Sequence, residues 1–266
     1  MINLIAVDLD GTLLNDKKNV STYTINTLKI LSSMGIPIVL TSGRMMEAID
    51  KFQKMIGIRC YRSSMNGSYI LGKYNEIIHN KIINSIDVKR IISYLGRKEV
   101  FFNISSTDTL YCRKDNVCRD NRNYGVNTKY LSCEQMLDDE ILANRIIIEE
   151  DNIEKLNKIT VYLLEHFEIE ISKSEKNNIE VTKRGVNKGS GLNEICKHLS
   201  ISPESTLAFG DNENDISLFK CAGTSVAMEN AVENLKQLAN YITCSNNQDG
   251  VAKMLNFLFL ENTGGR

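Results

Sequence analysis

The chain has 266 residues, of which 42% are hydrophobic and 24% charged, a composition typical of globular proteins that bury a core. Its 32 basic and 33 acidic side chains leave a net charge of -1, which argues against a dedicated nucleic-acid-binding protein. No apolar stretch approaches the roughly 18 residues of a membrane span, and the N-terminus lacks a basic leader. We therefore expect neither a nucleic acid nor a membrane as partner.

The cysteines and histidines restrict the chemistry further. The 7 cysteines form no C-x-x-C pair, so neither a disulfide framework nor a zinc site is predicted. They are interpreted as reduced thiols of a cytoplasmic protein. The 3 histidines are scattered and belong to no catalytic motif. Any reaction is therefore expected to rely on carboxylate, hydroxyl, amide and lysine groups.

The N-terminal part of the chain alternates between strand and helix patterns. Short apolar runs predict strands over residues 3–7, 36–40 and 58–62. Apolar side chains at helical spacing after Ser21 predict one helix that ends at Gly35, and residues 44–56 predict another. Strands joined by helices are typical of parallel pairing through crossover connections. This part is therefore expected to form an α/β sheet with helices on both faces.

The C-terminal part repeats the alternation, whereas the middle of the chain differs. The C-terminal strands are predicted over residues 206–209, 224–227 and 241–243, and the helices over 188–199, 215–221, 231–239 and 250–260. The middle is predicted to hold strands over 100–104, 109–112, 145–148, 167–171 and 179–182, and helices over 86–95 and 153–164. We predict a Rossmann-like parallel core over residues 1–81 and 185–266, with an inserted α+β unit over residues 82–184.

A D-x-D-G-T motif directly follows the first predicted strand. Asp8 and Asp10 lie two residues apart, so their carboxylates point the same way at the carboxyl end of a strand, where open α/β sheets bind ligands. Gly11 allows the chain to turn sharply. Carboxylates this close repel, and either a hard divalent cation such as Mg²⁺ or a shared proton compensates. With a metal, one carboxylate suits nucleophilic attack and the other general acid–base catalysis.

Three further segments place polar groups at predicted helix starts. A T-S-G-R segment over residues 41–44 is typical either of an anion site at a helix N-terminus or of an ordinary helix cap. Lys188, at another helix start, either is solvated or neutralises a phosphoryl oxygen. A G-D-N-E-N-D segment over residues 210–215 suits metal coordination and oxyanion contact, or an acidic, well-capped helix start.

In this order, the four segments resemble the signature motifs of the haloacid dehalogenase (HAD) superfamily of phosphohydrolases. More narrowly, the chain resembles Cof-type sugar-phosphate phosphatases, in which a cap is inserted after the third core strand. An M-N-G turn at Asn66 and a late D-G-V-A segment at Asp249 add to the resemblance. It covers essentially the whole chain. The departures are mild, such as Ser217 in place of a frequent methionine, and they remove no catalytic group.

The resemblance implies a phosphatase that works through an aspartyl-phosphate. Asp8 would attack phosphorus, and Asp10 would protonate the leaving alkoxide and then activate water. The resemblance implies that Mg²⁺ is held by Asp8, Asp10 and Asp211. It implies that the phosphate is bound by Thr41, Ser42, Gly43, Lys188 and Asn214. It assigns supporting positions to Thr12, Arg44, Asn66, Gly210, Asn212 and Asp215.

The inserted unit is expected to be a cap that closes over the site and selects a small phosphorylated metabolite. Its basic stretch over residues 113–130 is either a solvated loop or an attractor for an anionic metabolite. Two alternatives stay open, a phosphomutase with the same aspartyl-phosphate and a non-catalytic module that senses phosphorylated metabolites. Whether the chain acts as a monomer or a homo-oligomer also stays open.

Overall fold

The computed structural model describes residues 2–114, 126–173 and 176–261, and its strands fall into two sheets. In chain order the strands are β1 (Leu4–Asp8), β2 (Ile38–Thr41), β3 (Tyr61–Ser64), β4 (Tyr69–Leu71), β5 (Ile77–Asn80), β6 (Phe101–Ser105), β7 (Leu110–Arg113), β8 (Thr128–Leu131), β9 (Arg145–Glu149), β10 (Ile169–Ser172), β11 (Asn178–Lys183), β12 (Thr206–Gly210), β13 (Thr224–Ala227) and β14 (Tyr241–Ile242). The α-helices are α1 (Thr22–Ser33), α2 (Met46–Ile56), α3 (Ser85–Arg97), α4 (Cys133–Asp138), α5 (Ile153–His166), α6 (Lys188–Leu199), α7 (Ile216–Cys221), α8 (Glu233–Lys236) and α9 (Gly250–Asn256).

The larger sheet, called the core sheet below, has the strand order β14-β13-β12-β1-β2-β3-β4-β5. Every neighbouring pair from β14 to β3 is parallel, whereas β3–β4 and β4–β5 are antiparallel. The apolar central strand β1 is buried along its whole length, as expected for a parallel strand that is covered on both faces. Because the parallel strands share one direction, their carboxyl ends meet at one edge, where Asp8 ends β1.

The second sheet, called the cap sheet, has the order β10-β11-β9-β6-β7-β8 and is antiparallel except for β7–β8. Side chains of α3 and α5 pack on it, among them Ile91 and Ile159, which share a buried cluster with Phe102 of β6. A different cluster surrounds β1. The segment from Ile83 to Val181 therefore buries a hydrophobic core of its own.

A small apolar cluster joins the cap sheet to the core sheet. Met45 and Met65, which follow β2 and β3, pack with Leu110 and Cys112 of β7. Asn144, just before β9, adds a hydrogen bond from its Nδ2 to Ser68 Oγ at 3.0 Å. Because Met45 and Met65 lie beyond the carboxyl ends of their strands, these contacts hold the cap sheet over the carboxyl edge of the core sheet.

The predicted fold class is confirmed, since a Rossmann-like core carries an inserted α+β unit. The sheet is parallel from β14 to β3, and the sequence analysis did not predict β4 and β5, which form an antiparallel hairpin whose turn uses Asn75 at a φ of 68°. The helix predicted over 231–239 is wrong in length, since α8 covers four residues and buries only Leu235. The prediction missed β8 and α4.

The division of the chain at residues 82 and 185 stays a prediction, although the cap strands all lie between these positions. The predicted strand over 58–62 begins instead at Tyr61, and the predicted helix over 44–56 begins at Met46. None of the helices within the described ranges is long and apolar enough to cross a membrane.

Candidate active site

A buried lysine links two aspartates at the carboxyl edge of the core sheet. Lys188, the first residue of α6, donates from Nζ to Asp8 Oδ1 at 2.7 Å and to Asp215 Oδ1 at 2.6 Å. None of the three side chains is more than 6% exposed. A charge at this depth needs a partner, so Asp8 and Asp215 stabilise the ammonium group of Lys188.

The electrostatics of this cluster favour an additional positive charge. Burial raises the pKa of Asp8 well above its ordinary value, although Lys188 acts in the opposite direction. Burial and the nearby Asp215 raise the pKa of Asp211 to about 7. Burial would lower the pKa of Lys188, but the charges of Asp215 and Asp8 outweigh it and raise this pKa. Three carboxylates therefore share one ammonium group, and a bound cation would relieve their repulsion.

Asp8, Asp211 and Asp215 could hold such a cation, because each offers a carboxylate oxygen and these oxygens lie within 4.8 Å of one another. Thr12 orients Asp211 by donating from Oγ1 to Asp211 Oδ1 at 3.0 Å. Asp215 Oδ2 already accepts the backbone N–H groups of Asp211 at 3.0 Å and Asn212 at 3.1 Å. The all-carboxylate donor set fits Mg²⁺, and Asp215 is the member most committed to other partners.

Asp10 stands apart from this cluster and is paired with two cations. Arg44 donates from Nε to Asp10 Oδ2 at 2.5 Å and from Nη2 to Oδ1 at 2.7 Å, and Lys18 donates to Oδ1 at 2.7 Å. Burial would raise the pKa of Asp10, but these hydrogen bonds outweigh it and lower the pKa to about 2. Among the described residues, the three-aspartate group does not include Asp10. Its predicted role as a metal ligand stays a prediction.

Two glycines let the backbone approach these acids. Gly11 has a φ of 78°, in the left-handed region, and a Cβ there would overlap the Asp211 carboxylate. At Gly210 an added Cβ would lie 2.6 Å from the Cβ of Asp215. Glycine is therefore required at Gly11 by both space and conformation, and at Gly210 by space.

The T-S-G-R segment forms the loop between β2 and α2. Ser42 Oγ accepts a hydrogen bond from the backbone N–H of Arg44 at 3.2 Å. The helix α2 begins after Met45 without a side-chain cap, so its first N–H groups are available to an anion. Thr41 of this segment is the last residue of β2, and its buried hydroxyl has no hydrogen-bond partner within the described part of the chain.

A cavity of about 550 Å³ lies between the loop, the aspartates and the cap sheet. The predicted site residues that line it are Asp8, Asp10, Ser42, Gly43, Arg44, Asp211, Asn212 and Asn214. The predicted site residues that do not line it are Thr12, Thr41, Asn66, Lys188, Gly210 and Asp215. The structure thus brings the acids and the T-S-G-R loop to one wall, and Lys188 touches Asp8 from behind that wall.

The cap contributes a second wall that the sequence analysis did not identify. Its members from the cap sheet include Asn103, Arg145 and Glu180. Arg145 Nη1 donates to Glu180 Oε2 at 2.8 Å and also to the backbone carbonyl of Gly43. Asn66 of the M-N-G turn donates from Nδ2 to Glu180 Oε2 at 2.9 Å. Charged residues inside otherwise apolar strands were the available signal, as in the I-E-V sequence of β11.

The predicted basic stretch of the cap is described only at its ends. Arg113, Lys114 and Lys129 fall within the described residues, whereas Arg119 and Arg122 lie outside them. Arg113 donates to the carbonyl of Val100 at 3.2 Å. The attraction of an anionic metabolite by this stretch therefore stays a prediction. Lys18, which also lines the cavity, was not predicted, because a lone loop lysine carries no motif.

An aspartate cluster at the carboxyl edge of a Rossmann-like sheet, beneath an inserted cap, defines a class of phosphoryl-transfer hydrolases. A family model described as haloacid dehalogenase-like hydrolase matches residues 5–255, and the chain belongs to this family. The predicted resemblance is therefore confirmed, and the chain is a HAD-type phosphatase.

Curated relatives and solved structures agree with this assignment. The chain is 29% identical to 5-amino-6-(5-phospho-D-ribitylamino)uracil phosphatase YcsE of Bacillus subtilis (strain 168), over 96% of this chain and 94% of that protein. A haloacid dehalogenase-like hydrolase from B. subtilis has a TM-score of 0.88 at 27% identity, over 97% of this chain and 100% of that one. The HAD subclass IIB sugar phosphatase BT4131 has a TM-score of 0.83 at 25% identity, over 96% and 98% of the two chains.

Proposed function

We propose that this protein is a magnesium-dependent phosphomonoesterase that hydrolyses small phosphorylated metabolites through an aspartyl-phosphate on Asp8. The observation that carries the proposal is the position of Asp8, which ends the central strand, lines the cavity and accepts a hydrogen bond from buried Lys188. A carboxylate in this position can reach a phosphorus atom in the cavity while a fixed positive charge stands beside it.

The reaction takes two steps. An Asp8 carboxylate oxygen attacks phosphorus, the bond from phosphorus to the leaving oxygen breaks, and Asp10 supplies the proton that makes the leaving group an alcohol. Asp10 then takes a proton from water, whose oxygen attacks the phosphorus of the aspartyl-phosphate. Inorganic phosphate leaves and the Asp8 carboxylate is restored. Both steps use Asp10 in opposite protonation states, as general acid–base catalysis requires.

The remaining groups bind and neutralise charge. Mg²⁺, held by Asp8 and Asp211 with Asp10 or Asp215 nearby, would offset the negative charge brought together by carboxylates and phosphate. Lys188 adds a second positive charge beside the nucleophile. The Ser42 hydroxyl, the loop at Gly43 and the Asn214 amide are assigned to the phosphoryl oxygens, with Thr41 behind them. Thr12, Arg44, Asn66, Gly210, Asn212 and Asp215 support these groups.

The substrate class is a small metabolite of the sugar-phosphate type. A cavity of about 550 Å³ has the size of a small-molecule site. The names of two relatives, a phosphatase of a phosphorylated ribitylamino compound and a sugar phosphatase, support the same class. The described cysteines are free thiols, which supports the further proposal of a cytoplasmic location.

Phosphate release from a panel of small phosphomonoesters tests this function. The wild-type protein should release phosphate with Mg²⁺ and should lose this activity in a chelator. Asp8→Asn should stay folded, as judged by circular dichroism, and should lose turnover. Turnover retained in Asp8→Asn, or unaffected by the chelator, would refute the corresponding part of the proposal. Isomerised phosphate ester in place of free phosphate would instead identify a mutase.

A further inference from the structure

Two polar atoms on the cap wall of the cavity are buried and have no hydrogen-bond partner within the described part of the chain. They are Oδ1 of Asn103 in β6 and Nε of Arg145 in β9. Asn103 is 1% exposed and Arg145 is 6% exposed, and both line the cavity. Such atoms cost free energy while they lack a partner. One is an acceptor and the other a donor, so each can be satisfied by a ligand group that is able both to donate and to accept.

The strand register places these two atoms on one face of the cap sheet. Asn103 lies opposite Ile147, and Arg145 lies opposite Ser105, in the antiparallel pair β6–β9. Side chains two residues apart on a strand share a face, so Asn103, Arg145 and Ile147 lie on the same side of the sheet. Ile147 also lines the cavity. The wall is therefore a single surface with polar and apolar parts.

The cations that line the cavity are already in contact with carboxylates. Arg145 is bound to Glu180 at 2.8 Å. Lys18 and Arg44 are bound to Asp10 at 2.7 Å and 2.5 Å. Among the described lining residues, every lysine and arginine thus has a carboxylate partner. On the cap wall, a second anionic group of the substrate would meet Glu180 and no uncommitted cation, so its desolvation would be unfavourable.

From these observations we infer that Asn103 and Arg145 recognise the leaving group and select one that is neutral and carries a hydroxyl group. This inference rests on the proposed phosphatase function. A hydroxyl can donate to Asn103 Oδ1 or accept from Arg145 Nε, so hydroxyl groups can satisfy either atom. Apolar contacts from Leu110 and Ile147 suit the carbon skeleton. Glu180 is a positioning residue, because it holds Arg145 and cancels its charge.

Three phosphate esters with a three-carbon skeleton test the inference in the wild-type protein with Mg²⁺. Propyl phosphate lacks hydroxyl groups, glycerol 3-phosphate has two, and 3-phosphoglycerate replaces the terminal CH₂OH by a carboxylate. The kcat/KM for glycerol 3-phosphate should exceed each of the other two values at least tenfold, because a site built for a hydroxyl discriminates against analogues that lack it. Equal kcat/KM values for the three esters would overturn the inference and leave the proposed function intact.

Two variants test the named residues. Asn103→Leu should lower the ratio of kcat/KM for glycerol 3-phosphate to that for propyl phosphate at least tenfold. The matched control is Asn157→Leu, on the exposed face of α5, which should keep the wild-type ratio. Glu180→Gln leaves the charge of Arg145 without its partner. The kcat/KM for 3-phosphoglycerate should therefore rise at least tenfold relative to the kcat/KM for glycerol 3-phosphate.

The ratios separate recognition from a structural effect. If Asn103→Leu lowers kcat/KM equally for glycerol 3-phosphate and propyl phosphate, the residue supports the fold and the inference is wrong. Unchanged selectivity in Glu180→Gln would equally overturn the assigned role of the Arg145–Glu180 pair. Absence of phosphate release from all three esters, with the protein folded, would refute the proposed function and the recognition site together.

Discussion

Asp10 differs from the clustered aspartates because its carboxylate is already paired. Arg44 binds both of its oxygens and Lys18 adds another donor, which together lower its pKa to about 2 despite burial. Asp10 is therefore ionised at neutral pH, the form that a general base needs. In the proposed mechanism Asp10 must take up a proton before it protonates a leaving group, so we expect substrate binding to loosen its contacts with Arg44 and Lys18.

We expect Asp10→Asn to form the aspartyl-phosphate from p-nitrophenyl phosphate and to hydrolyse it slowly. Nitrophenolate leaves without a proton, whereas the second step loses its base, which costs about 10²–10⁴-fold in rate. Stopped-flow absorbance should show a burst of about one nitrophenolate per protein before slow turnover. Linear release at the wild-type rate would contradict the role of Asp10.

In the proposed metal site, Asp211 is the residue at which we expect metal binding and stability to be coupled. Its pKa of about 7 means that the folded state disfavours its ionised form, because it is buried beside Asp215. We expect Asp211→Asn to increase the free energy of unfolding in a chelator, since a neutral amide removes the repulsion. The variant should also lose the stabilisation by Mg²⁺, which is about 2.7 kcal/mol when Mg²⁺ is at a hundredfold excess over Kd.

Urea unfolding of the wild type and Asp211→Asn, each with Mg²⁺ and with EDTA, measures both effects. Thr12 can still donate to the Oδ1 that the amide retains, so the wild type and the variant both keep this hydrogen bond. If Mg²⁺ increased the free energy of unfolding of the variant as much as that of the wild type, Asp211 would not be a metal ligand.

At the scale of elements, two helices in different parts of the molecule each begin with an asparagine cap. Asn187 caps α6, and its side chain accepts from Ser190 N at 2.9 Å. Asn152 caps α5 in the cap, and its side chain accepts from Lys155 N at 3.0 Å. Only α6 carries a site residue in its first turn, since Lys188 directly follows Asn187.

Asn187→Ala and Asn152→Ala form a matched pair of variants. Each loses one cap hydrogen bond, so each should lower the free energy of unfolding by about 0.5–2 kcal/mol in urea titrations. We expect kcat to fall only in Asn187→Ala, because fraying of the first turn of α6 displaces Lys188 from Asp8. Equal kcat values in the two variants would show that the cap of α6 does not position Lys188.

Local sequence patterns were sufficient to predict most helices and strands and the positions of the acidic site residues. The apolar run before Asp8 predicted β1, and the density of acids after β12 predicted the position of Asp211. The hairpin β4–β5 was missed because β4 has three residues and β5 is only partly buried, so neither shows a strong apolar alternation. The pairing of Glu180 with Asn66 joins distant segments, and its prediction requires the position of the cap over the core.

At the scale of the whole molecule, buried polar contacts connect the cap sheet to the loops around the site. Glu180 binds both Arg145 and Asn66, and Arg145 reaches the carbonyl of Gly43. The cap therefore contacts the T-S-G-R loop and the M-N-G turn directly. We expect any opening of the cap to break these contacts and to leave both loops less ordered.

We expect Glu180→Ala to increase amide hydrogen exchange in residues 42–46 and 65–68. Removal of the carboxylate leaves Arg145 buried without its charged partner, which weakens the closed arrangement. Exchange in β1 and β12 should stay unchanged, because these strands are protected by the centre of the core sheet. Mass spectrometry of peptides from both regions measures the difference. A uniform increase over the whole chain would indicate general destabilisation.

The central strand β1 of the core sheet pairs with β12, which is synthesised much later. Leu4 in β1 lies opposite Thr206 in β12, and the entire cap sheet is encoded between them. On the ribosome the cap segment emerges before β12 and can bury its own cluster before β12 leaves the exit tunnel. Asp8 and Asp211 meet only once β12 joins the sheet, so the nascent chain carries an incomplete carboxylate cluster until β12 has emerged.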